Sequence, residues 1–141
     1  MRRALPPLFA LLAACAATGG DPWKRSEEVF REGDVVACLD TVRRKAGVEL
    51  RWVGVRAEGE SRLREVRLIV FCDANADGVP QPEEQLTRWN AQADVPVDQF
   101  WATASFEATN LKPDVMAALC VFTEVTLEGR SEPVRQTRPF P

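Results

Sequence analysis

The chain contains no histidine and no tyrosine among its 141 residues. Without an imidazole it has no Ser-His or Cys-His nucleophile pair, no histidine general base and no histidine ligand for zinc. None of its serines lies in the G-x-S-x-G sequence of a nucleophile elbow; they are Ser26, Ser61, Ser105 and Ser131. These absences remove most hydrolase mechanisms, so we predict that the protein is not an enzyme.

The chain also lacks an excess of positive charge. Its 18 basic side chains are outnumbered by 21 acidic ones, for a formal net charge of −3. A nucleic-acid-binding domain presents a basic face to the phosphates, so we expect no nucleic-acid partner. The length corresponds to one domain with a core of its own.

Long hydrophobic runs are absent except at the amino terminus, where residues 5–14 follow Arg2 and Arg3. As a helix, ten residues span about 15 Å, half of a bilayer, so a transmembrane helix is not expected. A basic start, a short apolar segment and small residues after it are typical of an export signal.

The end of this segment, Leu12-Ala13-Ala14-Cys15, resembles the lipobox of bacterial lipoproteins. The resemblance implies cleavage before Cys15 and lipidation of that cysteine, and attached acyl chains provide a stable tether when there are two or more. We therefore expect a lipid-anchored protein of the cell envelope. Ala16 in place of the inner-membrane retention Asp favours the outer membrane. The alternative is an ordinary secretory signal with a chance cysteine.

Three segments are predicted: a signal peptide over residues 1–14, a lipidated cysteine with a tether or short helix over 15–33, and a folded domain over 34–141. Asp21-Pro22 has the sequence of a helix N-cap and first turn, and that helix would end near Glu32. The alternative is an extended segment in which Val29 and Phe30 belong to the first strand.

From Asp34 onward apolar and polar residues alternate, with Gly, Pro, Asp and Asn between the runs. This pattern predicts an all-β antiparallel sandwich of the immunoglobulin or fibronectin type III kind. The predicted strands cover residues 35–39, 48–55, 66–70, 100–108, 117–127 and 134–137.

The last third of the chain carries a family resemblance. The Leu111-Lys112-Pro113 corner and the Gly129-to-Pro133 turn, with Ser131 at its centre, resemble the segments before strands F and G of fibronectin type III domains. Trp52 would correspond to the family's buried tryptophan. The resemblance implies the fold and says little about function, because such sandwiches host many functions.

Residues 73–84, DANADGVPQPEE, match the calcium-loop pattern D-x-[DN]-x-[DN]-G-x5-E at every fixed position. Such a loop supplies hard oxygen ligands at alternate positions, a glycine for the bend and a final bidentate glutamate. The candidate calcium ligands are Asp73, Asn75, Asp77 and Glu84 by side chain, Val79 by its carbonyl and Gln81 through a water.

This loop departs from an EF-hand because a predicted strand precedes it, Pro80 replaces an apolar residue with an N–H, and no second loop follows. It is more similar to the loops of B-type sandwich domains in bacterial surface adhesins. We expect one structural calcium ion, bound with a dissociation constant of roughly 10⁻⁴ to 10⁻³ M. A plain polar connection of the same composition is the alternative.

Three cysteines remain if Cys15 is lipidated, so at most one disulfide forms in an oxidising compartment. In the fibronectin-like fold, Cys72 ends strand C and Cys120 lies in the neighbouring strand F, which makes Cys72–Cys120 the favoured pair. Cys120 falls on the polar side of its strand, which argues against this pair. Cys38–Cys120, Cys38–Cys72 and three free thiols remain alternatives.

Two tryptophans, Trp89 and Trp101, are candidates for a patch that binds a glycan or a protein, unless they belong to the core. The prediction is an envelope-anchored binding or structural module whose partner is an envelope protein or glycan. One alternative is an inhibitor or assembly factor for another envelope protein. A weaker alternative is a small hydrolase using Asp73, Asp77, Glu83 or Glu84 as acid and base.

Overall fold

The computed structural model of the chain describes residues 20–141. The predicted signal peptide and Cys15 lie outside the described residues. Within residues 20–141, no helix combines the length and the apolar character needed to cross a membrane.

Two antiparallel four-stranded sheets form a sandwich, which confirms the predicted all-β class. One sheet has the strand order β1-β2-β3-β6 and the other the order β5-β4-β7-β8. The strands are β1 (Glu27–Glu32), β2 (Val35–Arg44), β3 (Gly47–Ala57), β4 (Leu63–Cys72), β5 (Gln85–Val97), β6 (Gln99–Ala108), β7 (Leu119–Leu127) and β8 (Val134–Pro139). The helical segments are α1 (Pro22–Arg25), a 3₁₀ turn (Pro82–Glu84) and α2 (Pro113–Ala117).

Alternation along the strands directs one row of apolar side chains from each sheet into a shared core. Most of this row is aliphatic, and Phe30 and Phe140 add aromatic volume near the β1 and β8 edges. The core also contains Met116 of α2, so this short helix closes one end of the sandwich.

Each of the two amino-terminal alternatives is partly right: a helix starts at Asp21-Pro22 as predicted, and Val29 and Phe30 belong to the first strand. Asp21 caps α1 by accepting a hydrogen bond from the Trp23 N–H at 3.0 Å. The helix stops at Arg25, and the following residues form β1. A β-bulge between Glu28 and Phe30 turns two consecutive apolar residues, Val29 and Phe30, toward the core. The sandwich therefore begins earlier than the predicted boundary at residue 34.

Strand β5 was not predicted. It pairs only with β4 among the described strands, forms an edge of its sheet and has no fully buried residue. Strand β7 begins at Leu119 because α2 occupies the preceding residues, where the sequence had predicted strand from Ala117.

Candidate metal site in the β4–β5 loop

The candidate loop connects the end of β4 to the start of β5. Its first residue, Asp73, donates its backbone N–H to the carbonyl of Ala118 at 2.8 Å, which ties the loop to the end of α2. Ala76 and Gly78 have φ angles of 58° and 74°, in the left-handed region. Glycine adopts this conformation without strain, which is why the pattern places it at the bend.

Three carboxylates converge inside this loop. One oxygen from each of Asp73, Asp77 and Glu84 lies within 4.8 Å of the others. The 3₁₀ turn brings Glu84 back toward the start of the loop, and Glu84 Oε1 accepts the Gln81 N–H at 3.1 Å. The residues that the spacing marks as acidic ligands are therefore gathered at one place.

Backbone N–H groups are directed at the two aspartates. Asp73 accepts from the N–H of Gly78 at 2.9 Å and of Asp77 at 3.2 Å. Asp77 accepts from the N–H of Val79 at 2.9 Å. These bonds fold the loop around its acidic residues and partly offset the repulsion among them.

The remaining predicted ligands lie beside this cluster. Asn75 donates its side-chain amide to Asp77 Oδ2 at 3.1 Å and accepts the Asp77 N–H at 3.3 Å. Val79 and Gln81 contact the cluster through the backbone hydrogen bonds already described. Glu83 is exposed and is not a member of the converging group.

The electrostatics favour the charged form of Asp77. A hydrogen bond from the Val79 N–H is the main cause that holds the pKa of Asp77 below its usual value. Burial, the next largest effect, opposes it, and the Asn75 and Gln81 side chains lower the pKa further. Converging ionised oxygens repel one another and suit a hard cation such as Ca²⁺.

A long-range hydrogen bond fixes the bend of the loop. The Thr137 hydroxyl on β8 donates to the carbonyl of Gly78 at 2.7 Å. No local sequence pattern links Thr137 to Gly78, which lies 59 positions away, so the sequence did not mark Thr137 as part of the site. At the other end of the loop, Gln85 Nε2 donates to the Pro80 carbonyl at 3.1 Å.

The predicted disulfide is absent, because Cys38, Cys72 and Cys120 are all free thiols. Cys72 and Cys120 do lie on the neighbouring strands β4 and β7, but Cys72 is opposite the core residue Leu119 whereas Cys120 is opposite Phe71 on the outer face. Adjacent positions on opposite faces direct their Cβ atoms apart, which prevents a bond.

The alternative pairings through Cys38 are also absent, because Cys38 lies in the other sheet of the sandwich from Cys72 and Cys120. Cys38 packs on the outer face of the other sheet with Val36 and Trp52. Burial is the main cause that raises the pKa of each of the three thiols above its ordinary value, so none is an activated nucleophile.

The two candidate tryptophans do not form one patch. Trp89 is opposite Leu68 on the inner side of β5 and packs against the core, whereas Trp101 is opposite Gly54 on the outer side of β6 and is 38% exposed. They belong to different sheets and opposite faces, so they form no shared patch; Trp89 follows the core alternative, and Trp101 alone is exposed.

Comparison with known proteins adds little to this picture. No protein-family model matches the chain, and no curated protein matches it significantly. Among solved structures, the chain is similar to part of a crystal structure of Parabacteroides merdae β-glucuronidase with glycerol in its active site. The TM-score is 0.44 and the identity 11%, over 76% of this chain and 13% of the glucuronidase chain.

Proposed function

We propose that the protein is a lipid-anchored, non-catalytic β-sandwich module of the bacterial cell envelope, stabilised by one calcium ion in the β4–β5 loop. The observation that carries the calcium part is the convergence of Asp73, Asp77 and Glu84 within 4.8 Å. Two independent properties meet there, the ligand spacing of the sequence and the convergence of the carboxylates in the folded loop. A weakly bound ion would have a structural role, relieving repulsion and holding the loop against β8.

The test is thermal unfolding of the chain in EDTA and then in millimolar Ca²⁺ or Mg²⁺. We expect a rise in Tm of several degrees that is specific for Ca²⁺, because ligand binding to the folded state alone raises its stability by mass action. Glu84→Gln should abolish the rise. Glu83→Gln is the matched control, since it removes the same charge from the adjacent exposed residue, and it should retain the rise. An unchanged Tm in Ca²⁺, or an equal response of the two variants, would contradict the proposal.

The lipid-anchor part of the proposal rests on the Leu12-to-Cys15 sequence. We expect Cys15→Ser to move the full chain from the membrane fraction to the soluble fraction, and to remove incorporation of labelled palmitate. Cys38→Ser is the control, because its thiol lies inside the folded domain, and it should remain at the membrane. If Cys15→Ser stays in the membrane fraction, the lipid anchor at Cys15 is wrong.

A binding or scaffolding role is favoured over the alternatives by the described surface. The groove between β5 and β6 is lined by apolar, hydroxyl and arginine side chains without a carboxylate, which gives no support to a hydrolase using paired acids. The exposed large hydrophobic side chains of residues 20–141 are Val79, Val95 and Trp101, on separate segments. An inhibitor covering its target with one apolar sheet face would present a contiguous patch instead.

We also propose a distant relationship to fibronectin type III domains. It is supported by the position of the Leu111-to-Pro113 corner before β7, and by the Gly129-to-Pro133 turn between β7 and β8. Trp52 departs from the family pattern because it is buried on the outer face of its sheet, beneath Trp23, instead of between the sheets.

A further inference from the structure

The chain enters the sandwich on the outer face of the β1-β2-β3-β6 sheet. Helix α1 lies against this face and places the Trp23 ring over Gly54 of β3. Trp52 packs edge to face with Trp23 at a centroid distance of 4.7 Å, and the Arg56 guanidinium lies 4.3 Å from the centroid of the Trp23 ring. The amino-terminal end of the described chain is therefore held on one particular face of the sandwich.

The predicted lipid anchor is close to this face along the chain. Cys15 precedes Gly20, the first described residue, by five positions, and α1 begins at Pro22. Five residues span at most about 18 Å when fully extended. Acyl chains that are attached to Cys15 and buried in a bilayer would therefore hold the face that carries α1 near the lipid surface.

A tryptophan is exposed on this face, beside α1. Trp101 of β6 is the direct cross-strand neighbour of Gly54, so it flanks the position that the Trp23 ring covers. It is 38% exposed, and among the exposed large hydrophobic side chains of residues 20–141 it alone is aromatic. Tryptophan is enriched where hydrocarbon meets headgroups, because its ring is apolar and its N–H is polar. Lys24 of α1 is also exposed and suits anionic headgroups.

The outer face of the other sheet is less suited to an anionic lipid surface. The β4–β5 loop with its three converging carboxylates lies on that side, since the Gly78 carbonyl accepts the Thr137 hydroxyl and Thr137 is opposite the outer-face residue Phe122. Anionic headgroups repel such a group of acids. On the face that carries α1, acidic side chains are paired with arginines, as Asp40 is with Arg25 at 3.4 Å.

We propose, on the basis of the proposed lipid anchor at Cys15, that the face carrying α1 and Trp101 rests on the bilayer, with the Trp101 ring among the headgroups. The acyl chains supply the attachment, and the ring adds a second, weaker contact that sets the orientation of the sandwich. The β4–β5 loop then faces away from the lipid.

Quenching of tryptophan fluorescence by brominated lipid tests the position of Trp101. The full lipidated chain is reconstituted in vesicles of phosphatidylethanolamine and phosphatidylglycerol, part of which carries bromine near the headgroup end of the acyl chains. We expect quenching in the unsubstituted chain and a loss of about half of it or more in Trp101→Phe, because only a ring that reaches the lipid is quenched. Trp89→Phe, on the inner side of the other sheet, is the matched control and should retain the quenching.

Flotation of the same vesicles separates failure of the anchor from failure of the orientation. A chain that does not float with the vesicles has no lipid anchor, and both proposals are then wrong. If the chain floats but shows no quenching, or if Trp89→Phe loses as much quenching as Trp101→Phe, the anchor stands and the proposed contact of Trp101 with lipid is overturned.

Energy transfer to the lipid surface measures the orientation independently of tryptophan. Thr103→Cys and Asn90→Cys place a thiol-reactive donor dye at exposed positions on the outer faces of the two sheets. Packed sheets lie about 10 Å apart, so the two dyes differ by at least about that height above an acceptor on the headgroups. We expect more transfer from residue 103 than from residue 90, after subtraction of the signal from the labelled unsubstituted chain. Equal transfer, or more transfer from residue 90, contradicts the orientation.

Discussion

The side chain of Gln136 on β8 hydrogen-bonds to both backbone groups of Arg31 on β1. Its Nε2 donates to the Arg31 carbonyl at 2.6 Å, and its Oε1 accepts the Arg31 N–H at 3.2 Å. An amide side chain presents a donor and an acceptor side by side, as a neighbouring strand does, so it satisfies the edge of β1 and joins the two sheets.

Replacing this amide should destabilise the β1–β8 edge. We expect Gln136→Ala to lower the free energy of unfolding by about 1 kcal/mol, the usual net value of exposed hydrogen bonds of this kind. Urea denaturation measures it. Gln99→Ala, an exposed glutamine on β6, is the control and should change stability by less than about 0.5 kcal/mol. Equal losses would show that the bonds to Arg31 contribute nothing specific.

The sequence predicted the sandwich and most of its strands because a core strand buries one of every two residues. It missed β5 although polar and apolar residues alternate over residues 88–94. The apolar row there is Trp89 and two alanines, a weaker signal than the aliphatic rows of the core strands. For β1 it left a helix and an extended segment open, and the structure has both in succession: the helix capped by Asp21 ends at Arg25, and Val29 and Phe30 belong to the first strand.

In the candidate site, too, the local features were predicted from the sequence and the long-range contacts were not. The spacing of residues 73–84 is local, so it identified the three acids that converge. The hydrogen bond from Thr137 to the Gly78 carbonyl joins residues 59 positions apart, so no local spacing pattern predicts it. The cysteine prediction placed Cys72 and Cys120 on neighbouring strands, and only the register shows that they occupy opposite faces.

Gly54 should not tolerate a methyl group. A Cβ built there would overlap a ring carbon of Trp52 and lie 2.7 Å from one of Trp23. The two rings pack edge to face with centroids 4.7 Å apart, and the Arg56 guanidinium stacks over Trp23 at 4.3 Å, so they have little freedom to retreat. We expect Gly54→Ala to cost about 1–3 kcal/mol, as overpacking does.

Urea denaturation followed by tryptophan fluorescence would measure this loss and show whether the rings move. The double variant Trp23→Ala/Gly54→Ala is the informative comparison, because removing the Trp23 ring opens part of the space that a Cβ at residue 54 needs. Its stability should fall by less than the sum of the two single changes. Strict additivity would contradict a direct clash.

Asp34 should make stability depend on pH in the acid range. Its carboxylate accepts the Ser61 hydroxyl at 2.5 Å and the Ser61 N–H at 2.9 Å. The hydroxyl bond is the main cause that lowers the pKa of Asp34 below its ordinary value of 3.8. Because its folded-state pKa is lowered, ionised Asp34 stabilises the folded state at pH values above its ordinary pKa. This stability is lost as the pH falls through the folded-state pKa.

We therefore expect the stability gap between the unsubstituted chain and Asp34→Asn to be constant near neutrality and to narrow below about pH 4. Urea denaturation at several pH values measures the gap. Ser61→Ala keeps the carboxylate and removes its main donor. When the Asp34→Asn gap is measured in the Ser61→Ala background, it should therefore finish narrowing at a higher pH. A gap that is the same at pH 3 and pH 7 would contradict this assignment.

Thr137 should couple β8 to the calcium loop. Thr137→Val keeps the shape of the side chain and removes the donor to the Gly78 carbonyl. We expect a loss of about 1 kcal/mol in stability and a smaller rise of Tm in Ca²⁺, because the bend is less fixed. Thr109→Val, in the exposed loop after β6, should leave the calcium response unchanged. Identical calcium responses in the two variants would show that the anchor and the site are independent.

The adjacent residues Arg43 and Arg44 at the end of β2 should contribute different amounts to the free energy of unfolding. Arg43 donates to the carbonyl of Met116 at 2.5 Å and to that of Phe140 at 3.2 Å, so it joins β2 to α2 and to the carboxyl-terminal segment. Arg44 forms an ion pair with Glu49 at 3.2 Å, and half of its side chain is exposed.

We expect Arg43→Ala to lower the free energy of unfolding by about 1.5–3 kcal/mol, because charged donors leave carbonyl groups without partners when removed. Arg44→Ala should cost less than about 1 kcal/mol, the range of exposed ion pairs. Urea denaturation in low and in 1 M salt separates the two causes, since salt screens the Arg44 pair and leaves the bonds of Arg43 largely intact. If the two changes cost the same, or if salt removes the effect of Arg43→Ala, the end of the sandwich is held by packing of Met116 and Phe140 alone.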